Sequence, residues 1–280
     1  MSHPNDHANA SDAVRVPGAE GGPRILAVSN QKGGVGKTTT AVNLATALAA
    51  VHKRVLIVDL DPQGNASTSL GVLPKDRALS TYDLLMGSAN LAEAATATAV
   101  PRLGIVPSGV DLAGAELELV DVNNRQNRLK TAIFGGNQVS FDYILIDCPP
   151  SLGLLTLNAL VASHAVLVPL QAEFLALEGV SQLVRTIERV RKAYNPNLEI
   201  QGIVLTMVDR RNNLSGMVEA DVREYFGTKV YSTVIPRNVR ISEAPSHGKP
   251  VLLYDLHSKG AQAYLSLAGE VLKREQRVTV

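Results

Sequence analysis

The sequence predicts an α/β fold: a doubly wound, mostly parallel sheet flanked by helices, in one domain spanning residues 24–280. Three observations predict it. Several short β-branched runs are apolar at every position rather than at alternate ones, the pattern of strands covered on both faces. These runs alternate with longer helical stretches, the order that builds parallel βαβ units. A glycine-rich segment, Gln31–Thr39, lies between the first run and the first helical stretch, where a phosphate-binding loop belongs.

In chain order, residues 1–23 are rich in Asn, Asp, Ala, Gly and Pro and offer little to bury, so they are expected to form a disordered tail. Strands are expected at Ile25–Val28, Val55–Val58, Tyr143–Ile146, Ala165–Val168, Ile203–Leu205 and Val230–Ile235. Helices fit at about Thr38–Ala50, Gly179–Tyr194, Ser215–Phe226 and Gly260–Lys273. The Ala/Thr-rich stretch Leu91–Val100 reads as a helix with a surface loop. In the last helix Tyr264, Leu265, Leu267, Ala268, Val271 and Leu272 form the side to be buried.

Composition removes several classes. A chain of 280 residues can fold on its hydrophobic core alone. A single cysteine cannot make an internal disulfide, a CxxC pair or a structural zinc site. No stretch has the roughly 18 apolar residues of a membrane span, and the first residues lack the apolar core of a secretory signal. A cytoplasmic setting is expected. The formal charge of +1 averages two unlike parts: 16 basic and 18 acidic side chains in residues 1–200, 11 and 8 in residues 201–280.

Gln31-Lys32-Gly33-Gly34-Val35-Gly36-Lys37-Thr38-Thr39 carries the sharpest chemistry. Three glycines let the backbone curl so that its N–H groups face one phosphate chain, and the helix N-terminus adds partial positive charge. Lys37 can reach the β- and γ-phosphates, and the Thr38 hydroxyl is placed to ligate Mg²⁺. A Gly-rich turn that merely joins strand to helix would not need Gly36-Lys37-Thr38. Two apolar runs end in acid: Val55–Val58 in Asp59-Leu60-Asp61-Pro62-Gln63-Gly64-Asn65, and Tyr143–Ile146 in Asp147-Cys148-Pro149-Pro150. Carboxylates at the carboxyl ends of parallel strands lie on the ligand-binding edge of such a sheet. Asp147 fits a Walker B acid that holds Mg²⁺ directly or through water. Cys148, with no histidine partner in view, reads as a small core residue.

The loop departs from G-x-x-x-x-G-K-[ST]: Gln31 replaces the first glycine and Lys32 follows it. It resembles the deviant Walker A P-loop ATPases, which include the ParA/Soj partition proteins, MinD and the nitrogenase iron protein. The resemblance implies that Lys32 reaches across a nucleotide-sandwich dimer to the partner's phosphates, as an arginine finger does. It implies that Asp61 acts on the attacking water and that Asp59 shapes the magnesium shell. One cysteine per chain is too few for the iron protein's cluster. Resemblance to chromosomal ParA/Soj proteins runs from about Arg24 to Leu272 and includes QKGGVGKTTTAVNLA, VDLDPQGN, IDCPPSLGLLTLNAL, ALEGVSQL and VIPRNVRISEAPSHGKP. It implies that Pro236 and Asn238 contact adenine. It further implies an ATP-dependent homodimer on the nucleoid that binds double-stranded DNA without sequence preference. Arg211 and Arg240 would make the contacts, with Arg210, Arg237 and Lys249 as neighbours. A slow ATPase stimulated by a ParB-type partner, driving chromosome or plasmid segregation, follows from the same likeness. The competing readings are a membrane-positioning ATPase of MinD type and a synthetase that activates a carboxylate with ATP. No large aromatic follows the basic cluster at the end of the chain, which counts against membrane docking.

Overall fold

The computed structural model describes residues 22–135, 140–173 and 176–277. Of the expected tail, only Gly22 and Pro23 fall within these residues, and they form no regular structure. Seven strands make one sheet: β1 Arg24–Val28, β2 Val55–Asp59, β3 Thr96–Ala97, β4 Leu103–Val106, β5 Tyr143–Asp147, β6 Ala165–Gln171 and β7 Glu199–Thr206. Their spatial order is β3-β4-β2-β5-β1-β6-β7, and every pairing is parallel except the β3–β4 edge.

The helices are α1 Lys37–Ala50, α2 Asn65–Ser69, α3 Thr81–Met86, α4 Leu91–Ala94, α5 Leu112–Glu118, α6 Arg128–Phe134, α7 Leu154–Ala162, α8 Ala176–Ala193, α9 Asn213–Phe226, α10 Val239–Glu243, α11 Val251–Tyr254 and α12 Lys259–Arg277. They cover both faces, which is why the strands are apolar throughout. Ile25, Ala27, Leu56, Val58, Ile144 and Ile146 point into one layer with residues of α3 to α9. Their neighbours Leu26, Val28, Val55, Ile57 and Leu145 point into the other, against α1, α11 and α12. In α12 Tyr264, Leu267, Ala268 and Val271 are buried, with Leu265 and Leu272 partly so, on the expected side.

Two expectations need correction. Val230–Ile235 is not a continuous strand: isolated bridges, Ile203 to Val230 and Val208 to Pro236, and the Ile235 amide donating to the Leu205 carbonyl at 2.8 Å attach this stretch to β7 and the residue pair beyond it. The Ser232 and Thr233 amides instead donate to the Glu270 carboxylate of α12, at 2.8 and 3.0 Å. Leu91–Val100 holds the short helix α4 and then the edge strand β3, not a helix and loop alone. Asn90 starts α4 as a reciprocal cap with Glu93.

Candidate nucleotide site

The carboxyl ends of β1, β2, β5 and β7 meet on one edge of the sheet, and the predicted motifs lie along it. The glycine loop leaves β1 and opens directly into α1. Gly34 and Gly36 have φ of 74° and 85°, the left-handed region where only glycine sits without strain. Gly36 occupies the position before α1, and the first turn carries no acidic side chain to cancel its field. Val35 is fully buried, and the Thr206 hydroxyl at the end of β7 donates to its carbonyl at 2.9 Å. The loop is thereby tied to two strands, while Gly33 and Gly34 face solvent.

Lys37 is 7% exposed, and its ammonium donates to the Lys32 carbonyl at 2.9 Å. Burial lowers its pKa, and the negative charges of Asp147 and Asp61 oppose the shift. The loop closes on its own lysine, which has no other bonded partner in the described structure.

β2 and β5 are in register so that Asp59 stands beside Asp147, and both are fully buried. The two carboxylates are differently provided for. Asp59 accepts the Ser67 amide at 2.9 Å and the Ser67 hydroxyl at 2.6 Å, and the Asp61 amide at 3.3 Å. Burial nonetheless pushes its pKa to about 6. The Thr38 hydroxyl lies against the Asp147 carboxylate, and no backbone amide among the described residues donates to it. Burial and the neighbouring Asp59 hold its pKa well above the usual carboxylate range, and the Thr38 hydroxyl and Lys37 ammonium pull it back. A buried carboxylate beside a threonine hydroxyl forms a hard oxygen donor set that suits Mg²⁺. Among the described residues no cluster of three or more His, Cys, Asp or Glu could cage a metal. That suits a cation held by one carboxylate, one hydroxyl and a phosphate, the usual Mg²⁺ arrangement. The Asp59 oxygens are already engaged by Ser67 and the Asp61 amide.

Asp61 is 7% exposed and lies in a tight turn in which its carboxylate accepts the Gln63 amide at 3.0 Å. Lys32 is exposed and its ammonium pairs with Glu173, beyond β6, at 2.9 Å. Pro236 bridges to Val208 and so runs alongside the loop edge. The Asn238 side-chain oxygen caps α10 by accepting the Arg240 amide at 2.8 Å, leaving its NH₂ group to a ligand. Cys148 is buried and its thiol is pushed up by burial, as a core residue.

Lys32, Lys37, Thr38, Asp59, Asp61 and Asp147 are thus gathered on one edge, with Pro236 and Asn238 beside them. Arg211 and Arg237 act on Asp209, which Arg211 grips through both oxygens at 3.0 and 2.8 Å. Arg240 pairs with Glu243 and Asp255 at 3.0 and 3.4 Å. Arg210, Arg237 and Lys249 are exposed and outside these ion pairs. Sequence reasoning missed Ser67, Glu173 and Thr206, none of which lies in a motif whose spacing announces the contact.

A family model described as an AAA domain matches residues 23–200. The chain is 59% identical over 254 residues to the chromosome partitioning protein ParA of Caulobacter vibrioides, covering 90% of this chain and 95% of that one. It is 55% identical over 248 residues to the sporulation initiation inhibitor protein Soj of Bacillus subtilis, covering 89% and 98%. Among solved structures, cobyrinic acid a,c-diamide synthase from Mycobacterium smegmatis with bound ADP and magnesium superposes with a TM-score of 0.79 at 40% identity, covering 91% of this chain and 96% of that one. The cell division ATPase MinD of Pyrococcus furiosus gives a TM-score of 0.74 at 31% identity, covering 89% and 98%.

Proposed function

Since the chain belongs to the ParA/Soj family of chromosome-partitioning ATPases, we propose that residues 24–280 work as one ATPase domain that dimerises around ATP and binds DNA without sequence preference in that state. Hydrolysis, slow alone and stimulated by a ParB-type partner, then releases the dimer. The reading rests chiefly on one observation: Lys37, the Thr38 hydroxyl and the aspartates Asp59, Asp61 and Asp147 at the strand ends converge at the N-terminus of α1.

On binding, Lys37 leaves the Lys32 carbonyl for the β- and γ-phosphates, and the loop amides take the remaining oxygens. Thr38 and Asp147 would hold Mg²⁺, which when bound would supply neutralisation of the phosphates' charge. Asp59, fixed by Ser67, shapes that shell. Asp61 orients the water that attacks the γ-phosphorus; the bond to the ADP oxygen breaks and ADP leaves. Lys32, drawn off Glu173, neutralises charge on the partner's phosphates. Pro236 offers an apolar face to the adenine and the Asn238 amide reads its edge. DNA contact falls to Arg211 and Arg240, with Arg210, Arg237 and Lys249 beside them. The proposed setting is the cytoplasm, on the nucleoid and without stable membrane association; among the described residues no helix is long and apolar enough to cross a membrane.

The test uses two variants. Lys37→Ala is expected to weaken ATP binding by roughly a hundred-fold or more, and wild-type affinity would sink the loop assignment. Asp61→Ala is expected to keep ATP and DNA binding and lose turnover by roughly a hundred-fold or more. ATP-dependent sedimentation with DNA but not with liposomes separates the partition reading from the membrane one.

A further inference from the structure

We propose that Arg77 is a positioning residue for hydrolysis, because its guanidinium closes a ring of hydrogen bonds that holds the Asp61 turn in place. The proposal rests on the reading of Asp61 given above. The ring starts at the end of β2, where the Asp59 carboxylate accepts the Ser67 amide and hydroxyl. The same Ser67 oxygen accepts the Ser108 amide, just beyond β4, at 3.1 Å. The Ser108 carbonyl in turn accepts one Arg77 nitrogen at 2.6 Å. A second Arg77 nitrogen donates to the Thr68 hydroxyl at 2.9 Å and the Gly64 carbonyl at 3.3 Å. Gly64 completes the circuit: its amide donates to the Asp61 carbonyl at 2.9 Å. Arg77 also binds the Val72 carbonyl through two nitrogens, at 3.1 and 2.9 Å.

The chemistry of the ring demands an arginine. One side chain serves four separate acceptors on both sides of α2, which requires a planar fork of donors, and a lysine ammonium cannot span them. The turn is built around it: Gly64 has φ of 62°, and a Cβ there would collide with the guanidinium. All the arginine's bonds end on carbonyls and a hydroxyl of this segment and its strand neighbour. Arg77 therefore acts through the Asp61 turn and not on the substrate.

The experiment measures steady-state ATP hydrolysis by the full chain for Arg77→Ala, Arg77→Lys, Asp61→Ala and the Arg77→Ala/Asp61→Ala double variant. Arg77→Ala is expected to lower kcat by about ten- to a hundred-fold with KM for ATP within about two-fold of wild type. Arg77→Lys should lose nearly as much, and millimolar guanidinium ion should restore part of the rate to Arg77→Ala alone. In the Asp61→Ala background, removing Arg77 should change the residual rate by less than about two-fold. Wild-type kcat in either arginine variant overturns the proposal, as does a full additive loss in the double variant. Should Arg77→Ala fail to fold, Arg77→Lys carries the test, and its unchanged kcat is decisive against. Normal turnover in Asp61→Ala would remove the Asp61 reading instead, a different failure.

Discussion

At the residue scale, Asp147 is a fully buried carboxylate beside the Thr38 hydroxyl, next to a second buried carboxylate. Both acids have pKa values raised above their unfolded values. Such groups favour the fold while protonated, fully below the unfolded value near 3.8, and lose that contribution as pH rises through the raised one, about 6 for Asp59. Ionising the pair therefore destabilises the nucleotide-free protein. Asp147→Asn is expected to be more stable than wild type at pH values where the pair is ionised, by on the order of 1–3 kcal/mol, and the gap should close as pH falls and the carboxyls protonate. Thermal melts of the nucleotide-free proteins across this range check it; a variant that melts lower at every pH contradicts it. With Mg²⁺ and ATP added the order should reverse, since wild type alone keeps the carboxylate. Lys37 and Asp147 were legible in the sequence because their chemistry sits in short motifs tied to a strand end. Glu173, Ser67 and Arg77 were not, because each reaches its partner across a fold that local spacing does not encode.

At the element scale, the stretch after β7 shows where pattern reading stops. Val230-Tyr231-Ser232-Thr233-Val234-Ile235 has β-branched residues in the right density, yet two consecutive amides bond to Glu270 and the next residue, Pro236, has no N–H to give. An anion offered by α12 outcompetes a ladder, since a bond to a charged acceptor is roughly twice as strong as one between neutral groups. Glu270→Ala is expected to cost about 2–3 kcal/mol and to speed amide exchange at Ser232 and Thr233; unchanged protection there would show that the segment does not need α12. On the reading of Pro236 and Asn238 given above, ATP affinity should fall a few-fold as well. The long helices and the five main strands were legible from periodicity alone. Strands β3 and β4 were missed because one has two residues and the other is interrupted by Gly104.

At the scale of the whole molecule, net charge conceals a basic surface that its own acids partly neutralise. Arg211 is held by Asp209, and Arg240 by Glu243 and Asp255. Glu243→Gln is expected to free Arg240 and raise ATP-dependent DNA retention by roughly two- to five-fold, with a steeper loss on adding salt. Arg240→Ala should lower retention and leave ATP-driven dimerisation intact; equal retention in both variants would move the contact surface elsewhere. Behind this surface, α1 buries Lys37 and ten of its other residues, touching β1, β2, β4, β5 and β6 as well as α2, α11 and α12. The Thr40 hydroxyl meets the Tyr264 hydroxyl at 3.4 Å, and the Asn43 side chain accepts the Val251 amide at 2.8 Å. In mechanical terms, the helix that carries the glycine loop is an anvil. It cannot shift as a body without opening one face of the core, so any stroke tied to the γ-phosphate is delivered by the lighter parts around it: the Asp61 turn, the Lys32 side chain and the segment after β7.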